Sequence, residues 1–199
     1  MSQRRSDQRR LLETIAYRQA GYFSAAQARD VGYTYQAQKH HIDRGNWVRV
    51  DRGLSRLQGW PPGADDQYVR WSIWSGGRGV VSHESALRVH GLSDVDPASI
   101  HLTVPAGFRA VDPLVIAHHE ELDDAEVEER QGWRVTAPVR TLVDVAGGEL
   151  SQEIVDGAVA DAIESGVLTR RGLLRRTADL PERAALRLER ALARVEAAE

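Results

Sequence analysis

The sequence predicts an α+β protein with two parts: an N-terminal winged helix-turn-helix domain over residues 1–60, and a larger α+β domain over residues 61–199 with a small mixed sheet and C-terminal helices. Two observations predict this class. The first sixty residues show helical spacing broken by Gly, followed by an Arg-rich hairpin pattern. The rest of the chain alternates short apolar runs with helical patterns and ends in a long helical stretch.

Charge divides the chain at the same place. Residues 1–60 carry eleven Lys and Arg against five Asp and Glu, whereas the other residues carry fifteen against twenty-four. A basic segment joined to an acidic body indicates that the first domain meets a polyanion and that the second has another task.

Composition excludes several classes of protein. The chain contains no Cys, so it can form neither disulfides nor thiolate metal sites. No apolar run has the length of a membrane span, and residues 1–5 lack the apolar stretch of a secretion signal. We therefore expect a cytoplasmic protein without membrane contact.

Three helices are predicted in the basic segment. The first covers residues 7–20, where apolar residues recur on one helical stripe. Ser24 is a good N-cap for a second helix, and Thr34 can cap a third helix over residues 35–44, which Gly45 closes.

The third helix is unusually polar, since only Ala37 and Ile42 are dependable inward-facing residues. Such a helix has two interpretations: a solvated face, or a surface that enters the major groove of DNA. The next stretch favours DNA. Residues 47–50 and 54–57 form two short runs around a Gly-containing turn, and the Arg side chains of this hairpin can bind phosphates.

A series of short motifs runs through most of the chain. In the basic segment they are Tyr22-Phe23, Ser24-Ala25-Ala26-Gln27-Ala28, Gly32-Tyr33-Thr34, Arg44-Gly45, Arg49-Val50 and Arg52-Gly53. In the acidic part they are residues 81–87, His90-Gly91-Leu92, residues 100–105 and residues 135–144. Each motif is weak alone, but their order is specific, and together they resemble the AbiEi-type antitoxins of type IV toxin-antitoxin systems.

The resemblance implies two roles. The N-terminal domain would bind inverted repeats in its own promoter and repress the operon, and the C-terminal domain would counteract a nucleotidyltransferase-like toxin. The implied partners are double-stranded DNA and that toxin. The chain departs from the family at Gln38 and His41, where relatives often place Leu on the inner face of the third helix. We expect this helix to be rotated, loosely packed or satisfied by buried hydrogen bonds.

The candidate DNA-binding residues lie on the third helix, on the hairpin and on a basic N-terminal arm. Gln36 is predicted to read a base edge, since its amide can pair with adenine N6 and N7. Lys39 and Tyr35 are predicted to hold phosphates. The full set is Arg4, Arg5, Arg9, Arg10, Thr34, Tyr35, Gln36, Lys39, His40, Arg44, Arg49, Arg52 and Arg56.

The acidic part begins at Pro61-Pro62-Gly63, because two prolines and a glycine end a strand and cannot continue a helix. Helical patterns and short apolar runs then alternate. Helices are predicted over residues 65–74, 82–89, 138–146, 152–166, 170–178 and from 181 onward, and strands over residues 100–104, 114–118 and 133–136.

The seven His residues raise the question of a metal or catalytic site. The adjacent pairs at residues 40–41 and 118–119 each point to different sides of their element. Residues 83–85 have the residue types of a triad without a spacing that brings them together, and the acidic run at 123–129 is interpreted as a solvated face. We therefore predict no catalytic residue, no metal site and no cofactor, and we expect that the protein is not an enzyme.

Two other functions stay open. One is a stand-alone winged-helix repressor without a toxin, and the other is a truncated relative of DNA endonucleases that share the N-terminal module. An Arg-rich stretch over residues 170–183 is also unusual in an acidic domain. It is a candidate for an additional DNA contact or for toxin engagement.

Overall fold

The computed structural model of the chain describes residues 2–198, apart from the side chains of residues 2, 4 and 198. Helices and strands occur throughout these residues, and the α+β class is confirmed. The chain divides into two compact units. Unit 1 is Met1–Arg78 with Glu129–Trp133, and unit 2 is Gly79–Glu128 with Arg134–Glu199. Within residues 2–198 no helix combines the length and the apolar character needed to cross a bilayer.

Unit 1 begins with three helices and a three-stranded sheet. Its elements are α1 (Ser2–Arg18), β1 (Tyr22–Ser24), α2 (Ala25–Asp30), α3 (Tyr35–Asp43), β2 (Trp47–Asp51), β3 (Leu54–Leu57) and α4 (Asp66–Trp74). The strands lie in the order β1-β3-β2, and both pairs are antiparallel. The predicted hairpin of β2 and β3 is confirmed, whereas β1 was not predicted, because three residues are too few for a periodic pattern.

The two predicted N-caps of unit 1 are confirmed. The Ser24 hydroxyl accepts a hydrogen bond from the backbone N–H of Gln27, whose side chain in turn accepts from the Ser24 N–H, and this reciprocal pair starts α2. The Thr34 hydroxyl accepts from the N–H of Ala37 and starts α3. α1 begins earlier than predicted, at Ser2, so the predicted N-terminal arm is part of this helix.

Aromatic side chains fill the core of unit 1. Trp47 of β2 lies edge-on to the ring of Phe23 at 4.9 Å and to the ring of Tyr33 at 5.0 Å. Leu12 and Ala16 of α1 cover the same cluster. These buried side chains hold α3 and the hairpin against α1, and the exposed side chains of α3 and the hairpin take no part in the packing.

The predicted boundary at residue 60 differs from the observed division, because α4 packs within unit 1. The Tyr22 hydroxyl donates to Asp66 Oδ2 at 2.8 Å, and the ring of Tyr68 lies 4.7 Å from that of Trp133. The turn at Gly132 approaches the end of α1 so closely that a Cβ there would lie 2.6 Å from the Cα of Gln19.

Unit 2 is built around a mixed sheet, as predicted. Its elements are β4 (Val80–Val81), α5 (His83–His90), β5 (Ile100–Val104), β6 (Val115–His119), a short 3-10 helix (Asp124–Glu126), α6 (Pro138–Gly147), α7 (Gln152–Glu164), α8 (Arg170–Thr177) and α9 (Glu182–Ala198). Two further strands of the sheet, β7 (Val127–Arg130) and β8 (Trp133–Thr136), begin or end in unit 1, which holds residues 129–133. The strand order is β6-β5-β4-β8-β7. β4 is antiparallel to β5 and parallel to β8, and β5 is parallel to β6.

The helices of unit 2 share one apolar core. α6, α7 and α9 pack on each other, and α5 packs on α6. Pro138 opens α6 at a position where the missing N–H costs nothing, as predicted. The largest buried side chains of this core are Leu87, Leu92, Leu142, Leu173 and Leu188.

Candidate functional site

One face of α3 carries the predicted DNA-binding residues and is exposed. Tyr35 is 77% exposed, and Gln36, Lys39 and His40 are exposed beside it, with Thr34 at the helix start. Lys39 Nζ lies 2.6 Å from Asp43 Oδ2 on the next turn, which is a weak surface pair. The structure therefore brings five of the predicted residues together on one continuous polar surface.

The opposite face of α3 is held by polar groups. Gln38 is buried, and its Nε2 donates to the carbonyl oxygens of Ala25 and Tyr33, both at 3.1 Å. His41 stacks on Trp47 with ring centroids 4.6 Å apart, and burial lowers its pKa. Of the three alternatives for this helix, buried hydrogen bonding at Gln38 is confirmed.

The hairpin presents two of its three predicted arginines to solvent. Arg49 on β2 and Arg52 in the turn are exposed, as is Arg44 at the end of α3. Arg56 differs, because its guanidinium lies 3.4 Å from Asp66 Oδ2 and 5.6 Å above the ring of Tyr22. Only 19% of its side chain is exposed, so Arg56 joins α4 to the sheet rather than extending from the hairpin.

The predicted basic residues of the N-terminal arm lie on α1. Arg5 and Arg9 line a groove of about 640 Å³ together with Thr34 and His40 from the α3 region. Arg9 pairs with Glu13 at 3.4 Å and Arg10 with Asp7 at 3.6 Å, both on the surface of the helix. The side chain of Arg4 lies outside the described residues. Positive charge from α1 therefore borders the exposed face of α3.

A second group of polar side chains converges in unit 2. His83 and His118 stack face to face, with ring centroids 3.5 Å apart and an interplanar angle of 11°. His101 Nδ1 lies 3.1 Å from His118 Nε2 and 2.7 Å from Glu84 Oε2. We call His83, Glu84, His101 and His118 the histidine cluster. It borders a cavity of about 1040 Å³.

An arginine and three carboxylates continue from this cluster. Arg140 donates to Asp144 Oδ1 at 2.6 Å, and its guanidinium also lies 2.6 Å from Glu120 and 3.2 Å from Glu126. Asp144 is buried, and its second oxygen has no hydrogen-bond partner and lies 3.8 Å from His83 Nδ1. Burial raises the pKa of Asp144 to about 7 despite the opposing charge of Arg140.

The two stacked histidines, His83 and His118, have neutral rings at neutral pH. Burial lowers the pKa of His83 to about 3, and the neighbouring His118 adds to the effect. Burial also lowers the pKa of His118. His83 has a backbone φ of 51°, which is uncommon for a residue with a Cβ and persists only where the surroundings fix it.

The histidine cluster is not predicted by any local pattern in the sequence. Local spacing gives residues 83–85 no reason to converge and places no partner for them, and the structure brings His101 of β5 and His118 of β6 to His83. Glu126, predicted to lie on a solvated acidic face, is partly buried and binds two arginines. Among residues 2–198 no group of three or more His, Asp or Glu side chains is arranged to hold a metal ion.

The Arg-rich stretch over residues 170–183 is largely paired with acids of unit 2. Arg170 pairs with Glu196, Arg176 with Glu126 at 2.8 Å, and Arg183 with Glu149 at 3.5 Å. Arg171 and Arg175 are exposed. Most of this positive charge is therefore balanced locally.

Comparisons with known proteins give a likeness in fold. No family model and no curated protein matches the chain. Among solved structures, the chain is similar to the RV2827C protein from Mycobacterium tuberculosis, with a TM-score of 0.56 and 17% sequence identity. The likeness covers 88% of this chain and 74% of that chain, and at this identity it concerns the fold alone.

Proposed function

We propose that this protein is a transcriptional repressor that binds double-stranded DNA through a winged helix-turn-helix in unit 1, and that it acts as the antitoxin of a type IV toxin-antitoxin system. The main support for DNA binding is the exposed polar face of α3. Gln38 holds the opposite face of this helix in place. A helix that is exposed on one side and rigidly seated on the other is suited to enter a groove.

Dimensions and chemistry support this role for α3. An α-helix with its side chains is about 10–12 Å in diameter, and the major groove, about 12 Å wide, accepts it. The side-chain amide of Gln36 can donate to one atom of an adenine edge and accept from another. Tyr35 and Lys39, on the same face, can bind the phosphates that border the groove.

Positive charge on both sides of α3 supports the same docking. Arg5 and Arg9 of α1 border one side of the exposed face of α3, because they line a groove together with Thr34 and His40. Arg49 and Arg52 extend from the hairpin, and β2 of that hairpin packs on α3. In this docking the α3 face reads bases while the flanking arginines fix its register on the backbone.

The antitoxin role rests on the resemblance to the AbiEi-type family. The motifs that carry it in unit 2 fall on β4 with α5, on β5, and on β8 with α6. These elements contact one another, because β4 pairs with both β5 and β8 and α5 packs on α6. The motifs thus form the centre of one unit, which supports their interpretation as a single family signature.

Binding of DNA from the gene's own upstream region tests the repressor role. Fluorescence anisotropy with the full chain should give tighter binding to that duplex than to a scrambled duplex of equal length. The logarithm of the affinity should fall linearly with the logarithm of salt concentration, with a slope of about −0.9 for each phosphate contacted. Equal, salt-insensitive binding to both duplexes would contradict the proposal.

Co-expression tests the antitoxin role independently. A nucleotidyltransferase gene adjacent to this one should arrest growth when expressed alone and should be tolerated when this chain is expressed from an unrelated promoter. Using an unrelated promoter separates neutralisation from repression. Growth arrest that this chain does not relieve would leave a repressor without an antitoxin role.

A further inference from the structure

Strand β6 lies at one edge of the unit 2 sheet. It pairs with β5 along its whole length, from Val115 beside Ile100 to His119 beside Val104. Among the strands of the described residues, none lies on its far side. Ile116 is 44% exposed, so apolar burial contributes little to holding this strand.

The histidine cluster supplies an additional attachment for β6. His118 stacks on His83 from the start of α5 and contacts His101 of β5 at 3.1 Å. Two neutral imidazole rings at a 3.5 Å centroid distance are in van der Waals contact, whereas two charged rings at that distance repel each other. The same contact that holds β6 at neutral pH therefore opposes it in acid.

We propose that the stacked His83–His118 pair is an acid-sensitive latch, which holds β6 in the sheet when both rings are neutral and releases the strand when they take up protons. The released state is a local opening of the sheet edge, distinct from global unfolding. This inference does not depend on the proposed DNA-binding and antitoxin functions.

The charged groups around the two stacked rings favour or oppose their protonation. Those that face the two rings are Glu84, His101, His119, Arg140 and Asp144, with Glu120 and Glu126 bound to Arg140. The neutral hydroxyl of Ser82 lies 3.0 Å from His83 Nδ1. Glu84 favours protonation of the rings, whereas His101 and Arg140 oppose it. Asp144 takes up its own proton near neutrality, but its partners are Arg140 and His83 of α6 and α5, so release of β6 leaves its ion pair in place.

The linkage between protonation and release has a definite sign. The closed state excludes protons from His83 and His118, whereas rings exposed by release titrate near pH 6.5. The closed state is therefore favoured fully above pH 6.5 and progressively less below it. Each excluded proton raises the opening equilibrium about tenfold per pH unit below that value.

Hydrogen exchange of residues 115–119 in the full chain tests the latch. Exchange is measured at pH 7.5, 6.0 and 4.5 and corrected for the intrinsic rate at each pH. We expect the opening equilibrium of β6 to rise at least tenfold between pH 7.5 and 4.5. Glu121→Gln, a change at an exposed titratable residue that follows β6 and does not face the rings, should leave this rise unchanged.

Variants of the stacked pair complete the test. His118→Phe keeps an aromatic ring that cannot be protonated, and His83→Asn suits the positive φ at that position. Each should reduce the rise, and the double variant should be nearly independent of pH. A pH-independent wild type, or single variants that retain the full wild-type rise, would overturn the latch.

Discussion

Gln36 and Gln38 lie two positions apart on α3 and have opposite environments. Gln36 is exposed, whereas Gln38 is buried and donates to two backbone carbonyl oxygens, those of Ala25 and Tyr33. The same side-chain chemistry therefore serves two purposes on one helix. Gln38 fixes how the helix is seated, and that seating decides which side chains, Gln36 among them, face outward.

Replacing Gln38 should affect stability. Gln38→Ala leaves two carbonyl oxygens without their side-chain donor, which should lower the free energy of unfolding by about 1–3 kcal/mol. Urea unfolding followed by tryptophan fluorescence measures this change. Gln36→Ala is the matched control and should stay within about 0.5 kcal/mol of wild type. Equal losses in both variants would contradict the distinction between the two faces.

Replacing Gln36 should affect base preference. On the proposed docking, Gln36→Ala should lose about 1–3 kcal/mol of discrimination between the matched and the scrambled duplex. Anisotropy titrations with both duplexes measure the ratio of affinities. Gln67→Ala, at an exposed position of α4, should leave that ratio unchanged. If the Gln36 variant loses the same affinity on both duplexes, Gln36 does not read a base.

Replacing Arg52 should weaken binding to all sequences equally. Arg52→Ala removes one cation from the hairpin turn and should reduce the steepness of the salt dependence by about one unit, because one fewer counterion is released. Titrations over a range of salt concentrations measure the slope. Arg190→Ala, at an exposed position of α9 in unit 2, should leave the slope as it is. An unchanged slope for Arg52→Ala would remove the hairpin from the interface.

Two glycines with similar backbone angles should respond differently to alanine. Gly21 has φ +86°, and a Cβ there would lie 2.3 Å from the Cγ of Trp60, whereas Gly45 has φ +72° and open space around it. Gly21→Ala should cost about 2–5 kcal/mol, from the backbone strain and the overpacking together. Gly45→Ala should cost about 1 kcal/mol from strain alone. Thermal unfolding of the two variants compares these costs.

The pH dependence of stability should change when Asp144 is replaced. Its raised pKa of about 7 means that its contribution is present below pH 4 and is lost as pH rises towards 7. The lowered pKa of His83 acts in the opposite direction, since that contribution is present above pH 6.5 and is lost as pH falls towards 3. In the wild type the two changes largely cancel between pH 4 and 6.5.

Asp144→Asn removes one of these opposing contributions. Its free energy of unfolding should fall more steeply than that of wild type as pH decreases from 6.5 to 4, by up to about 1.4 kcal/mol per pH unit. Urea unfolding at four pH values measures the two slopes. Asp161→Asn, at an exposed position of α7, should keep the wild-type slope. Parallel curves for Asp144→Asn and wild type would show that Asp144 binds no additional proton in the folded state.

Local signals in the sequence predicted much of the fold. The sequence predicts the caps at Ser24 and Thr34 and the strand at Ile100–Val104, because the signal for each comes from residues adjacent in the sequence. β1 and β4, with three and two residues, were missed. Such short strands owe their existence to partners elsewhere in the chain, which local periodicity does not contain.

The surface of α3 is formed by residues close together in the sequence, whereas the histidine cluster is formed by residues far apart in it. The exposed side chains of α3 share one helix, so helical spacing alone groups Gln36 with Lys39 and His40. His83, His101 and His118 come together only after β4, β5 and β6 have found their neighbours. Spacing along the chain contains no information on that strand order. The Arg56–Asp66 pair also depends on how separate elements, β3 and α4, pack together, so local spacing does not predict it.

The turn around Gly132 gives unit 1 a second, distant piece of the chain. The polypeptide therefore crosses from one unit to the other three times. A gene fusion with a single joint at residue 60 or 78 would leave behind the short piece that carries Trp133, the partner of Tyr68. We therefore expect the two units to be inherited together, because a single crossover cannot separate one unit from the other without dividing unit 1.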